Sequence, residues 1–312
     1  MLGTMVIGPL IPLFIFGLAA VGSYTVAFTL LSLVLTSMAF ASHSPSWCRF
    51  FLRSSGWFKE GCFLHFEQRS IDSIKEHSSM WAMHPHGTSI GFGFSLNGAV
   101  RLRAEDEATY LPIAFTVPKE RLRRCNGVQA PAMFKVPLLR NALLGFGCAT
   151  PATKPEMHKL FAGNVDFGIL PGGMEEVALY TRGRERVFLK NRAGFIKYAL
   201  QYGYLVQPGY TFGECDMYTS MQAGAGVRMW MLKHIGLIIP VFWGPYWYAP
   251  WLPRRDVPLH TVIGSPLKLP VIEDPTKEDV RKWHGVYVEK LTELFDTHKG
   301  RFGYGDRELE IV

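Results

Sequence analysis

The pattern of apolar and polar positions splits the chain near Cys48. Met5–Ala41 is an almost unbroken apolar run, and no Asp, Glu, Lys or Arg occurs before Arg49. One bilayer crossing takes ~20 residues, so this run is too long for one span and marginally long enough for two. Gly22-Ser23 falls near its middle as a turn and leaves two arms of about 18 residues, close to the lower limit for spanning. Pro9 and Pro12 suggest a kinked or re-entrant first arm. A cleaved signal peptide fits less well, because the first residues carry no Lys or Arg and the run far exceeds an h-region. Arg49, Arg53 and Lys59 follow directly, and the positive-inside rule then puts the rest of the chain on the cytosolic side. The bland alternative is an unusually apolar helical pair inside a soluble protein.

Beyond residue 48 the pattern alternates between period two and period 3.6, which points to an α/β layered fold, a mixed central sheet flanked by helices. Met80–Met83, Tyr110–Val117, Val165–Leu170, Val187–Leu189, Leu205–Phe212 and Leu259–Ile263 are expected as strands. Ala132–Leu144 and Pro155–Ala162 carry helical spacing. Asn191 is placed to cap a helix over Arg192–Tyr202 that Gly203 stops. From Lys277 to His298, Val280, Trp283, Tyr287, Leu291, Leu294 and Phe295 recur on one helical face. No repeat or linker interrupts this, so the expected organisation is a membrane anchor over residues 1–48 and one cytosolic domain over 49–312. Two stretches look membrane-facing. Val227–Ile239 mixes bulky apolar residues with Arg228 and Lys233, and Phe242–Trp251 holds six aromatics in ten residues. Trp and Tyr favour the bilayer interface, although a wall of the core would read the same way.

Composition narrows the class. The chain is 48% hydrophobic and 19% charged, which excludes a disordered protein. Its formal charge of +7 comes without like-charge blocks or zinc-finger spacing. Anionic lipid or an acidic small ligand is therefore expected ahead of nucleic acid. The five cysteines (48, 62, 125, 148, 215) form no CxxC pair and read as reduced thiols.

Three stretches carry candidate chemistry. In Trp81-Ala-Met-His-Pro-His-Gly87 two imidazoles flank a proline in apolar surroundings. They are metal ligands, a general base with its helper, or structural histidines. The metal reading lacks a third ligand: there is no HExxH, and the nearest following acids are Glu105, Asp106 and Glu107. A neutral imidazole accepts a proton from a hydroxyl near neutral pH. Pro85 stiffens the backbone, and Gly87 permits a sharp turn and a close substrate approach. The second stretch, Ile169-Leu-Pro-Gly-Gly-Met-Glu-Glu176, is a glycine turn followed by paired acids. Backbone N–H groups at Gly172 and Gly173 could hold an oxyanion or phosphate, and Glu175 or Glu176 could orient an imidazole. The third sets Lys190, Arg192 and Lys197 around a helix start that also carries Gly194 and Phe195, a setting that attracts phosphate. A tight turn and a surface helix would look similar.

Taken together these stretches resemble the type-2 diacylglycerol acyltransferases and their monoacylglycerol and wax-alcohol acyltransferase relatives. His84-Pro85-His86-Gly87 matches that family's HPHG signature. Pro171-Gly172-Gly173 followed by Glu175 is similar to its PGGxxE block. Arg192-x-Gly194-Phe195-x-Lys197-x-Ala199-x-x-x-Gly203 matches RxGFxxxAxxxG, and Phe212-Gly213-Glu214 resembles the FGE that follows. Thr261–Pro266, Pro275–Asp279 and Leu294–Gly303 look like the family's tail. The tyrosine-phenylalanine-proline element of some members is absent, Trp57-Phe58-Lys59 being the nearest segment.

The resemblance implies a glycerolipid-acyltransferase-like fold and transfer of a fatty acyl group from acyl-CoA to a neutral lipid's hydroxyl. Diacylglycerol is the first expectation; monoacylglycerol or a fatty alcohol is the alternative. A metal-dependent lipid hydrolase and a non-catalytic lipid scaffold are the rival classes. His86 is expected as general base, with His84 helping to build the site and Glu175 supporting the imidazole. Pro85, Gly87, Gly172, Gly173, Lys190, Arg192, Gly194, Phe195 and Lys197 are expected against the substrates. Acyl-CoA enters as co-substrate, with no cofactor and no metal. The implied setting is the cytosolic face of the endoplasmic reticulum membrane and lipid droplets, with an oligomer compatible with it.

Overall fold

A computed structural model describes residues 2–39, 62–66, 78–88, 126–137, 139–145, 149–221, 223–235, 241–250 and 252–312. The expected strand Tyr110–Val117 lies outside them, as do Arg49, Arg53, Lys59 and the segment Trp57-Phe58-Lys59. The chain divides into two compact units, Met1–Ser55 with Val128–Glu156, and Gly56–Gly127 with Met157–Val312.

In the first unit, helices α1 (Leu2–Ala20) and α2 (Tyr24–Ala39) meet at a turn where Gly22 takes φ +82°. That left-handed backbone suits a residue without Cβ, and it falls where the sequence placed the turn. α1 runs through Pro9 and Pro12 as one helix. Apolar side chains such as Phe14, Phe16 and Phe28 are exposed. Among the described residues no helix is long and apolar enough to cross a membrane, so the expected membrane hairpin finds no support there beyond the helix pair itself. α2, with 16 residues, would rise only about 24 Å. Residues 128–156 join this unit. The helix expected over Ala132–Leu144 is broken into a 3-10 turn (Pro131–Lys135) and α3 (Leu139–Gly145). Pro137 lies between them and cannot donate to a continuing helix. Strand β4 (Ala149–Pro151) follows.

The second unit holds a mixed sheet. Its path is β1 (Cys62–Phe66), β10 (Leu259–Ile263), β7 (Leu205–Phe212), β2 (Ser79–His84), β5 (Phe167–Ile169) and β3 (Asn126–Gln129), with β11 (Leu267–Lys268) also paired to β7. β2 lies parallel to β5 on one side and to β7 on the other, while β10 runs antiparallel to β7. β7 and β10 occupy the residues expected. Both faces of β2 and β7 are buried, which is why neither alternates between apolar and polar positions; the polar Gln207 and Thr211 of β7 are buried with hydrogen bonds to Ser79 and Thr261.

The connecting helices are α4 (Lys154–Ala162), α5 (Gly173–Leu179), α6 (Gly194–Tyr202), α7 (Ala225–Ile235) and α8 (Lys277–Lys299). α8 starts with a capping box in which Thr276 and Asp279 satisfy each other's backbone N–H. Its buried face, Tyr287, Leu291, Leu294 and Phe295, packs on the sheet, with Phe295 against Tyr210 and Phe212. α6 begins two residues later than expected: Ala193 occupies the N-cap position with no side-chain cap, and Asn191 stays outside. Gly203 ends it in the left-handed conformation, as read from the sequence. β6 (Glu185–Val187) pairs in parallel with β12 (Leu309–Ile311), and β8 (Thr219–Ser220) pairs antiparallel with β9 (Phe242–Trp243).

Candidate active site

Three parallel neighbours, β5, β2 and β7, end at the same edge of the sheet. In open α/β sheets this carboxyl edge is where ligands bind. β2 runs into His84-Pro85-His86-Gly87, β5 into Leu170-Pro171-Gly172-Gly173, and β7 into Gly213-Glu214. Segments far apart in sequence are thereby forced together. Gly87 takes φ +69°, and a Cβ there would run into the Glu214 carboxylate. A Cβ on Gly172 would strike the Glu176 carboxylate. Both glycines are therefore required by close approach.

The acid against the histidines is Glu176. Its Oε2 accepts the His86 backbone N–H at 2.5 Å, and its Oε1 accepts the Phe188 N–H at 2.9 Å. The same Oε1 lies 3.7 Å from His84 Nδ1, too far for a good hydrogen bond but close enough for a direct electrostatic contact. Glu175, expected to support the imidazole, forms an ion pair with Arg192 and adds only the smallest of the pulls on the His86 ring. Counted strictly, the third residue after Gly173 in a PGGxxE spacing is Glu176, so the sequence carried the signal for the buried acid. Burial works to raise the Glu176 carboxyl. The His84 ring and the His86 backbone N–H outweigh it and hold the group below its ordinary value.

The two histidines differ. The Nε2 of His84 is 3.0 Å from Tyr287 Oη, and its Nδ1 faces Glu176. Both ring nitrogens thus look at protein. Tyr287 Oη also lies 3.2 Å from the Ala82 carbonyl, so α8 is fastened directly to the end of β2. Burial pushes the Tyr287 phenol well up, and Glu176 adds to it. The buried Nδ1 of His86, like that of His84, has no hydrogen-bond partner among the described residues. Burial lowers the His86 imidazole below 6.5 against the pull of Glu176 and Glu175, so the ring is neutral near pH 7. The buried hydroxyl of Thr88 likewise finds no partner among the described residues. Sequence reasoning missed Thr88 and Tyr287. The first could have been found as the next polar residue after Gly87; the second lies 203 positions from His84.

The other expected residues divide. Pro85, Gly87 and Glu176 line a small open recess that continues past Tyr180 and Arg184. The Gly173 N–H is used within its own turn, donating to Leu170 O at 3.1 Å. Phe195 packs edge-on against Tyr287 at 5.0 Å. Lys190, Gly194 and Lys197 are exposed around the start of α6.

A sequence profile described as diacylglycerol acyltransferase matches residues 23–312. The chain belongs to the diacylglycerol acyltransferase family. Among this family's relatives, it is 35% identical over 189 residues to diacylglycerol O-acyltransferase 1 of Eremothecium gossypii, covering 57% of this chain and 41% of that one. It is 30% identical over 256 residues to diacylglycerol O-acyltransferase 2 of Mus musculus, covering 77% and 63%. It is 29% identical over 274 residues to acyl-CoA wax alcohol acyltransferase 1 of Homo sapiens, covering 82% and 79%. The chain thus spans less than two thirds of the length of the first two. Among solved structures it is similar to the 1-acyl-sn-glycerophosphate acyltransferase PlsC of Thermotoga maritima, at 14% identity and a TM-score of 0.39 over 93% of this chain and 97% of that one. The mixed α/β architecture is given by the sheet itself.

Proposed function

We propose that this diacylglycerol acyltransferase family member moves a fatty acyl group from acyl-CoA to the hydroxyl of a neutral lipid, with diacylglycerol as acceptor and triacylglycerol as product. The observation that carries the reading is the neutral, buried His86 ring with an unpartnered nitrogen, held beside an ionised Glu176 at the sheet's carboxyl edge. The His86 imidazole takes the proton of the acceptor hydroxyl as that oxygen attacks the thioester carbon. The tetrahedral intermediate collapses with loss of the CoA thiolate, and the imidazolium returns the proton to sulfur. One ester and one thiol result, and Glu176 stabilises the transient positive charge. Tyr287 and Glu176 fix His84, which shapes the corner. With the Gly173 N–H already used, the Thr88 hydroxyl is the donor proposed for the oxyanion.

The anionic CoA head is assigned to Lys190, Arg192, Lys197 and the uncapped start of α6. The α1–α2 pair is assigned to the membrane, on its exposed apolar side chains and its lack of any formal charge. The domain then faces the cytosol at the endoplasmic reticulum or a lipid droplet. A monoacylglycerol or fatty-alcohol acceptor is the second reading, favoured by the match to acyl-CoA wax alcohol acyltransferase 1 over 274 residues. Purified full chain with labelled oleoyl-CoA and a panel of acceptors tests all of this. Label should enter triacylglycerol first; label in wax ester alone would move the acceptor assignment, and no transfer to any alcohol would end the reading.

A further inference from the structure

We infer that the surface built by α7 (Ala225–Ile235), by β9 and the turn after it (residues 242–250) and by Arg255 is a second bilayer contact on the catalytic unit, directed at anionic lipid. Tyr218 packs inward on Phe242, but the tryptophans described there do not form a core wall. Trp247 is 91% exposed, Trp230 55% and Trp243 42%, with Val227 and Tyr248 also open. They stand on a braced frame. β8 and β9 pair, and the Met221 N–H extends the pairing to Val241 O at 3.0 Å. Arg228, in the first turn of α7, donates to the carbonyls of Met221 and Ala223 at 2.8 and 2.9 Å, tying the helix to the strand end. The aromatic turn after β9 closes through Gly244 N–H to Pro250 O at 2.6 Å and Leu252 N–H to Ala249 O at 2.9 Å.

The frame is fastened to the active site. The Tyr180 hydroxyl reaches the Cys215 and Tyr218 carbonyls at 2.9 and 3.0 Å, and Ser220 Oγ donates back to Tyr180 O. Tyr180 directly follows α5, the helix that carries Glu176. A bilayer held at the aromatics is thus mechanically coupled to the edge where an oil-soluble acceptor must enter.

Charge identifies the occupant. From Met217 to Arg255 there is no Asp or Glu, while Arg228, Lys233, Arg254 and Arg255 are present. Lys233 and Arg255 are exposed. Indole and phenol rings among basic side chains, with the nearest acids in sequence, Asp216 and Asp256, only at the two ends of the stretch, suit an anionic headgroup region.

The proposal deepens the membrane part of the function above and rests on it only in taking a bilayer as the surroundings. Its test uses the full chain in phosphatidylcholine vesicles, with and without phosphatidylserine, whose acyl chains are brominated to quench tryptophan. The double variant Trp230→Phe/Trp247→Phe should lose at least the quarter of quenchable signal that two of the eight tryptophans represent. Lys233→Glu/Arg255→Glu should remove the extra quenching that phosphatidylserine produces. Unchanged quenching in the first variant overturns the proposal, as does concentration-dependent self-association through the same residues without quenching. A serine-lipid effect that survives in the second variant overturns the anionic assignment. Acyl transfer measured on the same samples reports separately: transfer without quenching sinks only this surface, and quenching without transfer sinks only the activity.

Discussion

The histidine corner and the basic turn at the start of α6 each reach one of two adjacent acids of α5, Glu176 and Glu175, but they are built in opposite ways. In the corner, Ser79–Thr88 is buried throughout, and the Nδ1 atoms of His84 and His86 and the hydroxyl of Thr88 find no hydrogen-bond partner among the described residues. In the turn, Lys190 and Lys197 stand in solvent, and the Arg192–Glu175 pair is half-exposed. A buried polar group exerts a large, unscreened effect, whereas an exposed charge is weakened by water and salt. The corner is therefore suited to making bonds and the turn to gathering a charged head group. Adjacent acids mark the division, Glu176 serving the first and Glu175 the second.

The largest break should come at His86. His86→Ala should lower kcat by ~10²–10⁴, the usual contribution of a general base, with membrane association retained; near-normal turnover at matched expression would remove His86 from the mechanism. Its pH profile sharpens the same point. Burial depresses the His86 imidazole below 6.5, so the acid limb of kcat/KM should lie below that pH. The stability gained by burying it neutral is complete above 6.5 and declines as the pH falls from there to the depressed value, where only the unfolded chain binds the proton. An acid limb above 6.5 would point to another titrating group.

The two acids separate next. Glu176→Ala strips the partner from the His86 and Phe188 N–H groups, at about 1–3 kcal/mol for each buried group left unpaired. Melting temperature and kcat should fall together. Glu175→Ala removes a partly exposed pair of about 0–1 kcal/mol and should leave both nearly unchanged. Equal effects would erase the division between corner and turn. Tyr287→Phe should follow, costing about 0.5–1.5 kcal/mol for the lost hydrogen bond to His84, read as a lower melting point with kcat reduced more than KM is raised. Smallest, Lys190→Ala/Lys197→Ala should raise KM for acyl-CoA by roughly two- to fivefold with kcat kept, an effect that shrinks in high salt; a kcat loss insensitive to salt would place these lysines in the corner.

Much of this was legible along the chain. β7, β10 and α8 follow from runs of apolar residues with a clean period, because burial on both faces or on one stripe leaves a mark that neighbours in sequence share. The aromatic stretch shows the limit: core wall and bilayer interface draw on the same residues, and it takes the exposure of Trp247 to argue against the core wall.

The sequence by itself determined the elements with the clearest pattern, β7, β10 and α8, and which short blocks carried chemistry, since periodicity, glycine turns and titratable residues are local properties. The tertiary structure alone decided how they are used. Consecutive residues on a helix diverge by about 100°, so docking of α5 chose Glu176 over Glu175. Parallel pairing of β2 with β5 and β7 brought three distant turns to one edge, and α8 supplied Tyr287 to His84 across the fold, because contact between residues far apart in sequence is a property of packing.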